Sequence, residues 1–420
     1  MDDARELDVL LGEVPVGRLS LEEGGLSSFV FFDSYRTRYP RPVLGQMFED
    51  DLSGRYAGKG RLPVWFSNLL PEGPLRDQVQ TDLGRKRRHE MAMLAALAED
   101  LPGAVRMAPA SSDASVTAEA VYETEGTLRD RSTRRIRFSL AGVQLKLSVL
   151  REQKGTVTLP VRGVDGDWIL KLPDRQLPGV PTNEHAMMTW ARLSQLDVPE
   201  VHLVSAAELE NIDASLFARD EPAYLIRRFD RGPGGQRIHI EDMAQVLGLY
   251  SDDKYSRYHY LTIARVVRAT AGEPGFDELI RRLVFMVASG NADMHHKNWS
   301  LIYPDAVRCE LAPAYDFVST VAYSEVSDEL ALKLAGSRRW EEVRLSSFEA
   351  LAVDAGADRL HTRALVEETI AAIVQSRAEA RALSRAPSEV WDRIDAHWRR
   401  TPLLRSHAEG AGKTSLRTEG

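Results

Sequence analysis

A single cysteine, Cys309, stands in a chain of 420 residues. That scarcity excludes an intrachain disulfide framework and any Cys-rich metal cluster, so stability must come from packing. Cys309 itself lies in the alternating run Val307-Arg308-Cys309-Glu310-Leu311 and reads as a packed strand residue rather than a nucleophile. Long apolar runs are missing too. Nothing approaches the roughly 18 consecutive apolar residues that span a bilayer, and the best run, Leu283 to Ala288, suits a buried helix segment. The first residues, Met1-Asp2-Asp3-Ala4-Arg5-Glu6, lack the basic start and apolar centre of a secretory signal, so a cytoplasmic protein without a membrane partner is expected. Positive charge is not in excess: a net charge of −8 argues against indiscriminate binding to nucleic acid. Two local basic runs, Arg85-Lys86-Arg87-Arg88 and the arginines at 131, 134, 135 and 137, read as solvated faces.

What is present is a folding composition, 43% hydrophobic and 28% charged, in a length that suits several lobes rather than one core. Short apolar runs broken by Gly and Pro over 6–32 predict a small antiparallel sheet, and a helix from about Arg88 to Asp100 ends before Pro102-Gly103. Residues 109–133 are rich in Ser, Ala, Thr and Glu and read as a linker. Strand-like runs follow at 136–150, 156–161 and 167–172, then a helix from Pro181 to about Leu196 capped by Thr182 or Asn183, and a strand at 224–229. Beyond 240 the pattern is helical, with a long segment from Phe276 to Ser289 that stops at Gly290. The expected fold class is α+β: a first lobe over 1–108, a linker over 109–133, a sheet lobe over 134–240, a helical lobe over 241–400 and a flexible tail over 401–420.

The chemistry concentrates in Gly290-Asn291-Ala292-Asp293-Met294-His295-His296-Lys297-Asn298 and, after a predicted hairpin, Tyr315-Asp316-Phe317. In kinases a catalytic-loop Asp orients the acceptor hydroxyl, an Asn five residues later holds Mg²⁺, and a further Asp before Phe holds the metal from the other side. Asn298 is five residues after Asp293, and Asp316 lies 18 beyond Asn298, room for one hairpin. The joint pattern points to phosphoryl transfer. A competing reading makes Asp293, His295 and His296 ligands of a zinc- or manganese-type ion; adjacent histidines in a loop point apart, which makes it the poorer one.

A kinase also needs a cation against the nucleotide phosphates. Lys171 sits in the apolar run Trp168-Ile169-Leu170-Lys171-Leu172, where a buried ammonium requires a ligand or carboxylate partner, and Glu184 at the head of the next helix is the candidate. The other reading lets Lys171 snorkel from an edge strand. The segment Phe138-Ser139-Leu140-Ala141-Gly142-Val143-Gln144-Leu145-Lys146 is neither Gly-x-Gly-x-x-Gly nor a Walker sequence, but its amides could cover phosphates with Lys146 as a second cation.

Together these segments resemble the HipA family of toxin kinases: Asn68-Leu69-Leu70-Pro71-Glu72-Gly73, Ser139 to Lys146, Ile169-Leu170-Lys171, Asn183-Glu184-His185, Arg228-Phe229-Asp230-Arg231, Asp293 to Asn298 and Tyr315-Asp316. The resemblance implies an amino-terminal lobe packed on a protein-kinase-like core with a mostly helical carboxy-terminal lobe. It implies Asp293 as catalytic base, Asn298 and Asp316 as Mg²⁺ ligands, and ATP as phosphoryl donor. The nucleotide shell would comprise Ala141, Gly142, Val143, Gln144, Leu145, Lys146, Lys171, Arg227, Arg228, Phe229, His295, His296, Lys297, Asn298, Tyr315 and Asp316, and Ser139 would be the self-phosphorylated serine. It further implies a serine of an aminoacyl-tRNA synthetase as substrate, a HipB-type helix-turn-helix antitoxin as partner, and operator DNA reached mainly through that antitoxin. The chain departs from the family in the apolar Val143, Leu145 and Leu147 and in Arg227 at the head of the hinge segment. Two other functions share parts of this pattern: a kinase acting on a small molecule, and a catalytically silent co-repressor.

Overall fold

The computed structural model describes residues 5–84, 89–98, 100–110, 146–152, 155–160, 165–173, 177–212, 221–324 and 326–408. Both basic runs, almost all of the expected linker, Ser139 and the loop residues Ala141, Gly142, Val143, Gln144 and Leu145 lie outside them.

Three sheets organise these residues. The first lobe carries strands β1 (Glu6–Leu11), β2 (Val14–Leu21), β3 (Leu26–Phe31), β4 (Tyr56–Lys59) and β5 (Val105–Pro109), paired antiparallel in the order β4-β3-β2-β1-β5. Interior strand β1 is buried from Leu7 onward, and its one buried acid, Asp8, is met across the register by Arg18 at 2.8 Å. The second sheet holds β6 (Lys146–Arg151), β7 (Val157–Thr158), β8 (Trp168–Lys171), β9 (Val201–Val204), β10 (Leu209–Glu210) and β11 (Ala223–Arg227), in the order β10-β7-β6-β8-β11-β9. A small third sheet joins β12 (His239–Asp242), β13 (Ser300–Tyr303) and β14 (Glu310–Leu311). The pair β13–β14 is the hairpin expected between Asn298 and Asp316.

Two apolar cores hold the layers. One is shared by the first lobe and a face of the second sheet, where Val9, Phe29, Trp65 and Leu94 pack in one cluster with Leu147, Val149, Leu170 and Leu225. The other surrounds the helix Tyr260–Ser289 and takes in Trp190, Phe285, Phe317, Trp391 and Trp398. Each such side chain contributes about 1.5–3 kcal/mol through burial. The long helix contains a kink, because Gly272 adopts φ +69° just before Pro274. It ends at Gly290 in the left-handed region, φ +65°, where a Cβ would come within 2.5 Å of Val321. Glycine is therefore required where the chain leaves the helix for the Asp293 loop.

Two expectations are corrected. The helix predicted from Pro181 begins at Val180 with Gly179 as its cap, and Thr182 and Asn183 lie inside it. Asn183 instead exchanges hydrogen bonds with Ser319 through its amide nitrogen (3.0 Å) and amide oxygen (2.9 Å). Residues 401–408, assigned to a flexible tail, pack against the body, with Thr401, Leu403 and Leu404 buried and Leu403 N bonded to Val343 O at 3.0 Å. Leucines at 403 and 404 have an apolar surface to cover, which a composition-based reading of the tail overlooked. Among the described residues, no helix is long and apolar enough to cross a membrane.

Candidate active site

Strand register builds the cationic side of the site. Lys146 on β6 and Lys171 on β8 are direct cross-strand partners, so both side chains leave the sheet on one face. Two neighbouring ammonium groups would repel, and two carboxylates answer them, Glu184 buried and Asp316 partly exposed. Lys171 Nζ bonds Glu184 Oε1 at 2.5 Å and also bonds Asp316; Lys146 Nζ lies 3.4 Å from the other Asp316 oxygen. Glu184 comes from the helix Val180–Leu193, packed behind the sheet, and is the ion-pair partner anticipated for Lys171. The snorkelling reading fails, since Lys171 is 4% exposed.

The electrostatics follow. Burial pushes the Asp316 carboxyl up, but Lys146 and Lys171 outweigh it and hold the group well below the usual carboxylate range. Burial opposes the charge on Lys171, yet Asp316 and Glu184 raise its pKa overall. Lys146, with less compensation, is lowered by burial.

The loop after Gly290 supplies the opposite side. Asn291 is its internal brace: Nδ2 donates to Asp316 O at 3.1 Å and Oδ1 accepts from Asp293 N at 3.0 Å, so one buried amide ties both acidic residues together. The brace matters because Asp316 stands at φ +58°, a conformation costing a non-glycine residue about 1–3 kcal/mol. Asn298 Nδ2 donates to Asp293 O at 2.9 Å, a bond that uses the amide nitrogen and not the side-chain oxygen. Burial raises the Asp293 pKa, and a hydrogen bond from Tyr255 OH to Oδ1, 2.5 Å long, pulls it back.

Not every anticipated residue turns inward. Phe229 and Tyr315 pack with ring centroids 5.6 Å apart, and Tyr315 OH donates to Lys297 O at 2.9 Å. Arg227 is exposed and lies 3.9 Å from Glu200. The Arg228 side chain is fully buried in a network with Asp100 and Asp230, each at 2.8 Å, so it joins the first lobe to the core instead of facing a ligand. Lys297 Nζ is spent on Asn68 Oδ1 (2.9 Å), Asn68 O (3.2 Å) and Asp242 (2.9 Å). His296 Nδ1 is paired with Lys254 O at 2.7 Å, whereas among the described residues the buried His295 Nδ1 and His296 Nε2 meet no hydrogen-bond partner. The competing metal-cluster reading is not supported by this geometry: Asp293, His295 and His296 do not converge, and among the described residues no three His, Cys, Asp or Glu side chains are grouped to hold a metal. Cys309 is buried, with its thiol toward Thr270 O at 3.6 Å. The residues that sequence reasoning missed are Asn291, Lys254 and Tyr255. Asn291 stood inside the quoted motif without a role; Tyr255, 38 positions from Asp293, carried no signal.

An asparagine carbonyl, a carboxylate at φ +58° and two converging lysines suit an oxygen-ligated Mg²⁺ beside phosphates, and His295 Nδ1, without a partner among the described residues, adds a polar atom still to be satisfied. The architecture is a kinase-like fold with an additional first lobe. Comparison with known proteins makes the class specific. Residues 138–377 match the HipA-like C-terminal domain and residues 7–108 match the HipA N-terminal domain. The protein belongs to the HipA family. It is 38% identical over 414 residues to a protein of Sinorhizobium fredii named "Putative kinase Y4dM", spanning 96% of this chain and 98% of that one. It is 24% identical over 363 residues to the serine/threonine-protein kinase toxin HipA of Shewanella oneidensis, covering 78% of each. A chain in the solved complex of HipA, HipB and operator DNA from the Shewanella oneidensis toxin–antitoxin system superposes with a TM-score of 0.72 at 20% identity, over 96% of this chain and 97% of that one, and shows the same fold.

Proposed function

We infer that this protein is a Mg²⁺- and ATP-dependent serine/threonine kinase that acts in the cytoplasm as the toxin of a toxin–antitoxin pair. The observation that carries the reading is the convergence of Lys146 and Lys171 on Asp316, with Asn291 tying Asp316 to the Asp293 loop. Lys171 and Lys146 orient and neutralise the phosphates of ATP. Asn298 and Asp316 would hold Mg²⁺, which when bound would offset charge on the phosphate oxygens. Asp293 accepts the proton of the acceptor hydroxyl as its oxygen bonds the γ-phosphorus and the bond to ADP breaks. His295, whose Nδ1 meets no partner among the described residues, and the Phe229–Tyr315 pair complete the nucleotide side.

The proposed substrate is a serine of an aminoacyl-tRNA synthetase, whose phosphorylation halts translation. Ser139 is the proposed self-phosphorylation site. A phosphoserine carries about −1.5 to −2 charges at neutral pH and would repel ATP phosphates, an off-switch. Family membership supports a HipB-type antitoxin as partner, with operator DNA contacted mainly through it. The test is expression of the wild type and Asp293→Ala in bacteria, with phosphosite mapping. Growth arrest with a new phosphoserine on a synthetase, both absent in the variant, is expected; arrest of equal strength by a folded variant would overturn the reading.

A further inference from the structure

The proposed chemistry leaves one sequence signature unused, the segment Asn68 to Gly73. It belongs to the first lobe, yet Asn68 bonds Lys297 of the Asp293 loop and Glu72 bonds Lys254 beside it. Lys297, 7% exposed, has three ammonium protons and meets three acceptors within 3.2 Å: Asn68 Oδ1, Asn68 O and Asp242. Asn68 Nδ2 in turn donates to Leu249 O at 2.8 Å, which fixes the amide against the chain leading to Lys254. Glu72 works from the same side. Its Oε2 bonds Lys254 Nζ at 2.7 Å, while its buried Oε1 lies 3.7 Å from Lys297 Nζ and has no hydrogen-bond partner among the described residues.

Lys254 connects these groups to the catalytic carboxylate. Its carbonyl accepts from both His296 N (3.3 Å) and His296 Nδ1 (2.7 Å), and the next residue, Tyr255, donates to Asp293 Oδ1. The Tyr255 ring stands edge-on to His295, 4.9 Å between centroids. Tyr255 is 40% exposed, so little packing holds it from the solvent side, and its place is set by Arg338 Nη2 on its carbonyl (2.5 Å) and by the pinned Lys254 before it. The hydroxyl engages one carboxylate oxygen and leaves the other for an acceptor.

We propose that Asn68 and Glu72 are positioning residues for phosphoryl transfer: through Lys297, and through Lys254 and Tyr255, the first lobe sets the position of the Asp293 carboxylate. This rests on the reading of Asp293 as the base. A lobe that merely adhered to the core would be expected to use its surface contacts generally. Here a part-buried cation, Lys254, and a part-buried carboxylate, Glu72, of opposite lobes meet beside the Asp293 loop, one residue away from the group that bonds Asp293.

The test combines steady-state kinetics of self-phosphorylation or peptide phosphorylation with hydrogen exchange, using the full chain with Glu72→Gln, Asn68→Ala, Tyr255→Phe and the double variant Glu72→Gln/Tyr255→Phe. Misplacing a base by an ångström lowers rates up to about 100-fold, so kcat should fall about 10- to 100-fold in Glu72→Gln while KM for ATP stays within about twofold. Exchange at 291–298 should quicken. In the double variant Glu72→Gln should add less than about twofold to Tyr255→Phe, because both act through one hydroxyl. If Asn68→Ala does not fold, Glu72→Gln alone decides. Unchanged kcat, or effects that multiply in the double variant, would overturn the proposal. If the wild type transfers no phosphate, the kinase reading fails separately, and unchanged exchange at 291–298 in Glu72→Gln would then overturn the positioning role by itself.

Discussion

Lys146 and Lys171 face each other across two antiparallel strands and turn toward the same carboxylate, Asp316. The lysines are tolerable neighbours only because Asp316, with Glu184, cancels their charge. Asp316→Asn should therefore lower stability as well as ligand binding. Breaking a buried ion pair costs about 3–5 kcal/mol, and Asp316 is partly exposed, so the lower end is expected. Urea midpoints should fall and titration with Mg²⁺-ATP should show a large loss of affinity; unchanged values for both would remove Asp316 from the centre of the site.

A second ion-pair cluster ties the lobes. Arg228 and Arg231 share Asp100 and Asp230, all four nearly fully buried. Asp230→Ala removes one of the two carboxylates that the buried arginines share and should destabilise by about 3–5 kcal/mol. The Arg228 and Arg231 charges hold the Asp230 carboxyl well below its usual range against the effect of burial. Its stabilisation is thus present above the unfolded carboxylate pKa, roughly pH 4, and is lost as pH falls through the lower folded value. The gap between wild type and variant in urea melts should be full at neutral pH and should narrow only in strong acid.

His361 gives the opposite sign. Its Nε2 lies 2.9 Å from Asp277 Oδ2, joining the helix Arg359–Leu383 to the helix Tyr260–Ser289, and the hydrogen bond to Asp277 raises the imidazole pKa. The contribution is complete below the unfolded value of about 6.5 and disappears as pH rises through the folded one. The pair is solvent-exposed, so about 0.2–1 kcal/mol is the range. Melting temperatures of wild type and His361→Ala should differ slightly at pH 5.5 and coincide at pH 8.5.

Much of this arrangement was legible in the sequence, for identifiable reasons. The Asp293–Asn298 spacing and the hairpin before Asp316 are local, and local spacing survives folding. Lys171 was readable because an ammonium in an apolar strand demands a buried partner, and Glu184 opens the next helix. Arg228 and Lys297 misled, since a basic residue inside a motif looks the same whether it faces a phosphate or a carboxylate of another lobe. Only the tertiary contacts with Asp100, Asn68 and Asp242 distinguish the two. Tyr255 was invisible because its role depends on a long-range approach with no periodic or motif signature.

The central claim is that Asp293 is the base of a phosphoryl-transfer site. The most direct measurement incubates the purified protein and its Asp293→Asn variant with γ-labelled ATP, Mg²⁺ and a bacterial lysate, and follows label on protein. Loss of a general base lowers rate about 10²- to 10⁴-fold, so the wild type should label serine and the variant should fall by that factor while still binding ATP. Equal labelling by a folded Asp293→Asn variant, or no labelling of any protein by the wild type, would contradict the account.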